Sequence, residues 1–298
     1  MRLYRLVTAG LVAGLLVAVP LAGAAKEQPP ADTAPATGAP AAETGQSAGQ
    51  EVAPGQRVRA EVHARVANRL RAMVEEGIVR NENAQANLER VIQRLTAEAV
   101  AAGDAASEAE ALAQVEEALQ AGGDGLTPAE LDILAEVQAR LGKRAEAMET
   151  LRTRLTRNAR TRAAHEKLVA LEAAAGTRQD LDTFVAGKKV DWDVRPAVEE
   201  GRTLVPVRKL VEALGGDVGW DPATGEATLV RGAVRVQLRV GSRVARVNGR
   251  EVPLEVPARI APGGRLVVPL RFVSEQFGLH VTWLEATRTI VVTEEPLE

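Results

Sequence analysis

One stretch of this chain occurs twice. Residues 201–230 read GRTLVPVRKLVEALGGDVGWDPATGEATLV, and residues 264–292 read GRLVVPLRFVSEQFGLHVTWLEATRTIVV. Gly201 matches Gly264, Arg202 matches Arg265, and Val205-Pro206 matches Val268-Pro269. Arg208 then meets Arg271, Leu214-Gly215 meets Phe277-Gly278, and Trp220 meets Trp283. One constant offset holds up to the turn after Thr224 and Thr287, where a gap is expected. A duplicated unit of this length is one supersecondary element used twice, with each copy covering the other's open face.

The residues predict the element. Thr203-Leu204-Val205 and Leu266-Val267-Val268 are short β-type runs. Pro206 and Pro269 suit the first position of a helix, where fixed φ and a missing N–H cost nothing. Val207, Leu210, Val211 and Leu214 then form one apolar helix face, as do Leu270, Val273 and Phe277. Gly215 and Gly278 stand where a left-handed cap is wanted. Val218 and Trp220, like Val281 and Trp283, alternate into a strand. Pro222-Ala223-Thr224-Gly225 turns the chain, and residues 227–230 return as a second strand. The unit is therefore strand–helix–strand–strand.

Between the copies lies an all-β insert. Val234, Val236, Leu238 and Val240 alternate with Arg235, Gln237 and Arg239, the pattern of a strand with one buried face. Gly241-Ser242 marks a turn, and Asn248-Gly249 predicts a tight hairpin between residues 243–247 and 250–254. Pro253 and Pro257 mark the latter segment as an edge or a strand end.

These residues resemble the copper amine oxidase-like N-terminal domain, also called the stalk domain. Its pattern is a GR-x-x-VP-x-R run, a short helix closing in LG and a W-D turn, repeated around an NG hairpin. The resemblance covers about residues 190–294. Three positions depart from it: Gly263-Gly264 replaces Asn-Gly, His280 replaces a polar or acidic residue, and Leu284 replaces the aspartate after tryptophan. These departures are expected to alter turn detail only. The resemblance implies an extracytoplasmic, non-catalytic module of bacterial envelope proteins.

The rest of the chain has a different character. Residues 1–25 resemble an export signal: Arg2 and Arg5 precede an apolar run over 6–21, and small residues at 22–25 suit cleavage. An uncleaved anchor is the alternative, and would be the chain's contact with a membrane. Residues 26–56, rich in Pro, Ala, Gly and Thr, read as a flexible tether. Residues 57–182 are rich in Ala, Leu, Glu, Arg and Gln and predict helices. Val62, Val66, Leu70 and Val74 recur at helical spacing, as do Leu88, Val91, Ile92 and Leu95. Gly103-Asp104 and residues 122–125 are breaks, and Thr127, Pro128 and Glu130 make an N-terminal capping box. Leu131, Leu134, Leu141-Gly142, Ala147 and Leu151 resemble one tetratricopeptide-type hairpin, with Leu168 and Gly176 one period further on. The aromatic positions of that family are missing, so a short bundle of amphipathic helices is the simpler expectation. The fold class expected is α+β: an α-helical region (57–182), then a duplicated domain (188–295). Only 2% of residues are aromatic, and Trp192, Trp220 and Trp283 all fall in the C-terminal part, where the tightest core is expected.

Chemistry is constrained mainly by what is missing. The chain has no cysteine, so disulfides and thiolate sites are excluded. Amine oxidation would need a tyrosine-derived quinone and three histidine copper ligands. The one tyrosine is Tyr4, within the export-type leader, and His63, His165 and His280 lie in separate segments without ligand spacing. No metal, cofactor or catalytic residue is assigned. Asp191 and Asp193 flank Trp192, and paired carboxylates can cleave glycosides. A charged lead-in to a β domain is the plainer explanation.

Two features could bind a ligand. The first is a run of arginines without an intervening acid: Arg231, Arg235, Arg239, Arg243, Arg246 and Arg250. Their forks suit carboxylate and phosphate oxygens, so an anionic cell-wall polymer or an acidic glycan is the candidate partner; charge-defended sheet edges are the structural alternative. The second is the repeated pair Arg208/Trp220 and Arg271/Trp283, which could form two equivalent platforms or pack internally. A basic segment of the helical region (Lys143, Arg144, Arg152, Arg154, Arg157, Arg160, Arg162 and Lys167) is expected to be a solvated face. A formal charge of -3 and a pI near 5.9 argue against nucleic acid. The expectation is an exported, non-catalytic envelope protein that binds or scaffolds. An adaptor that grips an envelope protein partner through its helices, with the duplicated domain as spacer, is the alternative.

Overall fold

The structure is a computed structural model, which describes residues 64–65, 68–69, 72 and 84–298, all within one compact unit, Val52–Glu298. The leader, the tether, the series Val62, Val66, Leu70 and Val74, and His63 lie outside the described residues.

The fold is α+β, with helices first. Among the described residues the helices are α1 (Ala84–Ala101), α2 (Glu108–Gln120), α3 (Pro128–Arg140), α4 (Arg144–Arg157) and α5 (Arg162–Ala174). Leu88, Val91, Ile92 and Leu95 are all buried, as their spacing requires. Ser107 caps α2, and Thr127 with Glu130 forms the full capping box of α3. Gly142 and Gly176, each at positive φ, end the turns after α3 and α5. Each helix packs on the next along the chain.

The basic segment is largely a solvated face, as expected: Lys143, Arg144, Arg152, Arg157 and Arg162 are exposed, Arg160 and Lys167 half-buried, and Arg154 is the exception. Arg154 is almost fully buried and meets Asp132 at 2.9 Å. Lys143 pairs with buried Glu116 at 2.6 Å, Arg152 with buried Glu172 at 3.0 Å, and Lys167 with Glu136. Arg157 donates to the carbonyl oxygens of Leu126 and Asp124. Arg160 pairs with Glu295 and Glu298, and Arg162 lies 3.8 Å from Glu166. Of the eight, Arg144 alone has no side-chain partner among the described residues. The charge density of the region indicates a wet face but not that Asp132, Glu116, Glu172 and Glu136 come from other helices to meet four of its cations.

The β part holds three sheets. β1 (Thr183–Val185), β2 (Lys188–Lys189), β12 (His280–Leu284) and β13 (Thr289–Thr293) form one, in the order β12-β13-β1-β2. The second, β10-β11-β4-β3, joins β3 (Ala197–Glu199), β4 (Arg202–Pro206), β10 (Arg259–Ala261) and β11 (Arg265–Pro269). The third runs β5 (Asp217–Asp221), β6 (Glu226–Arg231), β7 (Val234–Arg239), β8 (Val244–Val247) and β9 (Arg250–Pro253). Helices α6 (Val207–Ala213) and α7 (Leu270–Gln276) follow β4 and β11. Asn248 and Gly249 both take positive φ between β8 and β9, as their hairpin demands.

The duplication is longer and more regular than the sequence suggests. Trp220 pairs with Ala227 and Trp283 with Ile290, so the two hairpins have the same register and no gap follows Thr224 and Thr287. Arg288 adopts the positive φ that Gly225 takes in the first copy. Each copy also gains a leading strand: Val198 pairs with Thr203, as Ile260 pairs with Leu266. Pro206 and Pro269 cap their helices from the ends of β4 and β11, one residue before the expected first turn. β4 and β11 pair antiparallel with Val205 opposite Val268. Equivalent residues thus face each other across a local two-fold.

One apolar core is built from both copies: Val207, Leu210, Val211 and Leu214 meet Leu270, Val273 and Phe277, with Leu229, Val236 and Leu238 closing it. The tryptophans stand at its margin rather than its centre; Trp192 and Trp283 are half-buried and Trp220 is exposed. A second core joins the helical region to the β part. Leu151, Leu155, Leu168 and Val169 pack with Phe184, Leu284 and Val291. Leu284 is therefore no turn detail. It is fully buried under the helices, whereas its counterpart Asp221 stays exposed and accepts from Ala223 N (2.9 Å) and Thr224 Oγ1 (2.7 Å). At the same junction a Cβ on Gly187 would lie 2.0 Å from Leu155 O, so only glycine permits that approach.

Candidate functional site

Strand register divides the six arginines. Arg231 is structural: its Nε donates to Leu214 O at 2.7 Å and its Nη1 to Phe277 O at 3.0 Å. Arg243 sits in the turn before β8, donates to Glu255 O and lies 3.3 Å from Glu200. Arg250 lies opposite Val247, on the other side of the sheet from Arg246. Arg235, Arg239 and Arg246 do share the outer face of the five-stranded sheet. The neighbouring strands bring acids to that face: Glu226 stands opposite Arg239, and Arg246 is 3.7 Å from Glu251. Asp217 and Asp221 flank it on β5. The face carries charge of both signs.

The repeated arginine–tryptophan pairs are placed otherwise. Arg208 and Trp220 line a groove of about 300 Å³, and Arg271 and Trp283 line another of about 310 Å³. Each groove is composite. The first is completed by Arg265 of the second copy and the second by Arg202 of the first. The outer strands add Ile260 to one and Val198 to the other. Trp220, Ile260 and Val198 are 43%, 44% and 58% exposed, three of the most exposed large apolar residues among those described. Each groove thus combines two guanidinium groups with an aromatic ring and an exposed aliphatic side chain.

The grooves differ in their neighbours. In the first, Lys209 adds a cation, Arg265 Nε donates to Asp193 Oδ2 at 2.6 Å, and Arg208 has no ion pair among the described residues. The hydrogen bond from Arg265 holds the Asp193 carboxyl below its usual range, so it is no proton donor near neutral pH. In the second, Arg202 pairs with Glu255, Arg271 lies 4.0 Å from Glu275, and Trp283 Nε1 donates to Glu285. No acidic residue lines this groove. Asp191 is exposed and His280 begins β12 on the surface; His165 is buried in the helical region. Val198, Ile260, Arg202 and Arg265 line these grooves, and sequence reasoning did not place them there. The recurring Gly-Arg doublet was their signal.

The β part is a duplicated α+β domain with two related basic grooves. Residues 184–292 match the family model described as the copper amine oxidase N-terminal domain. The primary amine oxidase of Klebsiella aerogenes is 32% identical over 82 residues, covering 27% of this chain and 11% of that enzyme. The C-terminal part of this chain is thus similar to the N-terminal domain of copper amine oxidases, and the chain spans about a tenth of that relative's length.

Proposed function

We propose that this is an exported, non-catalytic binding protein of the cell envelope, which holds an anionic wall polymer or acidic glycan in the two grooves. The composite lining carries the proposal: paired guanidinium groups suit oxyanions, and exposed apolar side chains beside them suit the body of a ligand. The leader over residues 1–25 supports export. The helical region serves as an extension, anchored where its last helices share a core with the β domain.

A pull-down on purified cell-wall material across a salt series tests this reading. The parent is retained at low salt and released as salt rises. Replacing Arg202, Arg208, Arg265 and Arg271 with glutamine abolishes retention, while replacing Arg235, Arg239 and Arg246 leaves it intact. Retention that resists both salt and the groove substitutions would refute the proposal in favour of an adaptor that binds a protein.

A further inference from the structure

We infer that the domain is bivalent: its two grooves each take one carboxylated sugar unit, so that one molecule links two strands of an acidic glycan. This rests on the function proposed above and narrows it.

Two separate sites follow from the topology. The grooves share no lining residue. They lie at opposite ends of the β4–β11 pair, one beside Pro206 and Leu266 and the other beside Thr203 and Leu270. The Val205–Val268 pairing centres a local two-fold between them, and helices α6 and α7 pack in the core over the same pair. About five residues of strand, on the order of 15 Å, separate the two ends. Occupying one groove therefore leaves the other open.

The ligand class follows from the lining. A phosphate polyester would need cations alone. Here each groove sets an indole and an exposed aliphatic side chain beside its guanidinium groups. The apolar C–H face of a pyranose ring fills such a surface, and its carboxylate meets the planar fork of an arginine. Both grooves keep this combination, although Lys209 and Asp193 in the first have no counterpart in the second.

The test uses the protein with a galacturonate trisaccharide, with polygalacturonate and with polyphosphate. Calorimetry should give two trisaccharides per chain, one in R208Q, one in R271Q and none in the double variant. Polygalacturonate should turn turbid with the parent near equivalence and stay clear with either single variant. The single variants should still bind immobilised polymer, about 100-fold more weakly through lost avidity. Unchanged thermal unfolding of each variant shows that the fold is intact. One trisaccharide per parent chain, or turbidity that persists in a single variant, overturns bivalency and leaves the binding function standing. Binding to polyphosphate but not to polygalacturonate overturns the glycan assignment. Failure of the parent to bind either polymer at low salt overturns the proposed function itself.

Discussion

Leu214 and Phe277, the residues that close the two duplicated helices, offer their carbonyl oxygens to the same guanidinium, that of Arg231. Helix ends leave carbonyls without partners, and here one cation serves both. Changing Arg231 to methionine should cost about 2 kcal/mol, since each charge-assisted bond contributes ~1.5–3 kcal/mol before discounting for partial exposure. A urea titration measures it. An unchanged midpoint would show that the shared cap contributes nothing.

Leu284 and Asp221 are equivalent positions with opposite surroundings, so exchanging their chemistry should have unequal effects. L284D puts a carboxylate under the helices and should destabilise the protein by about 4 kcal/mol or more. D221L loses only two exposed turn bonds and should shift the unfolding midpoint far less. Equal losses in thermal unfolding would contradict the docking described.

Lys189 joins the two regions electrostatically. Its Nζ lies 2.7 Å from Glu172 and 2.9 Å from Asp182, both of them buried. Lys189→Met removes the cation from two buried carboxylates and should cost about 3–5 kcal/mol. Adding Glu172→Gln and Asp182→Asn should recover part of that loss. No recovery would mean that packing, not charge, dominates the site.

His165 confers acid sensitivity. It is fully buried against Phe184 (4.9 Å between centroids), its Nε2–H donates to Ala159 O at 2.9 Å, and Nδ1 has no hydrogen-bond partner. Burial pushes its pKa down from 6.5 to about 4, helped by the Arg154 charge. The unfolded chain therefore takes up a proton that the folded chain refuses. Stability from this group is intact above about pH 6.5 and falls by about 3 kcal/mol as pH drops to about 4. His165→Leu should lose that component, visible as a flatter urea midpoint between pH 7 and 4. Parallel pH profiles for parent and variant would refute it.

Much of the β domain was legible because its signals are local: alternation in β7, Asn248-Gly249, and the apolar faces of the two helices. Equivalence between the copies was legible too, but not exchange between them. A constant offset shows that Arg202 matches Arg265, yet nothing in it says that each arginine completes the other copy's groove. The surroundings of the arginine run were hidden for a related reason. Sequence has no acid between Arg231 and Arg250, whereas register brings Glu226 and Glu251 alongside. The burial of Leu284 and the pairing of Lys189 depend on helices far away in the chain, for which no short-range signal exists.

β13, the last strand, pairs in parallel with β1, the first strand after the helices. The sheet that receives the helical region therefore needs the start and the finish of the β part at once. A chain threading through a narrow pore cannot settle this domain until Thr293 has come through. Until then Phe184 and the apolar face of α5 wait uncovered, so the span between the emergence of β1 and that of β13 is one in which this surface is open to aggregation.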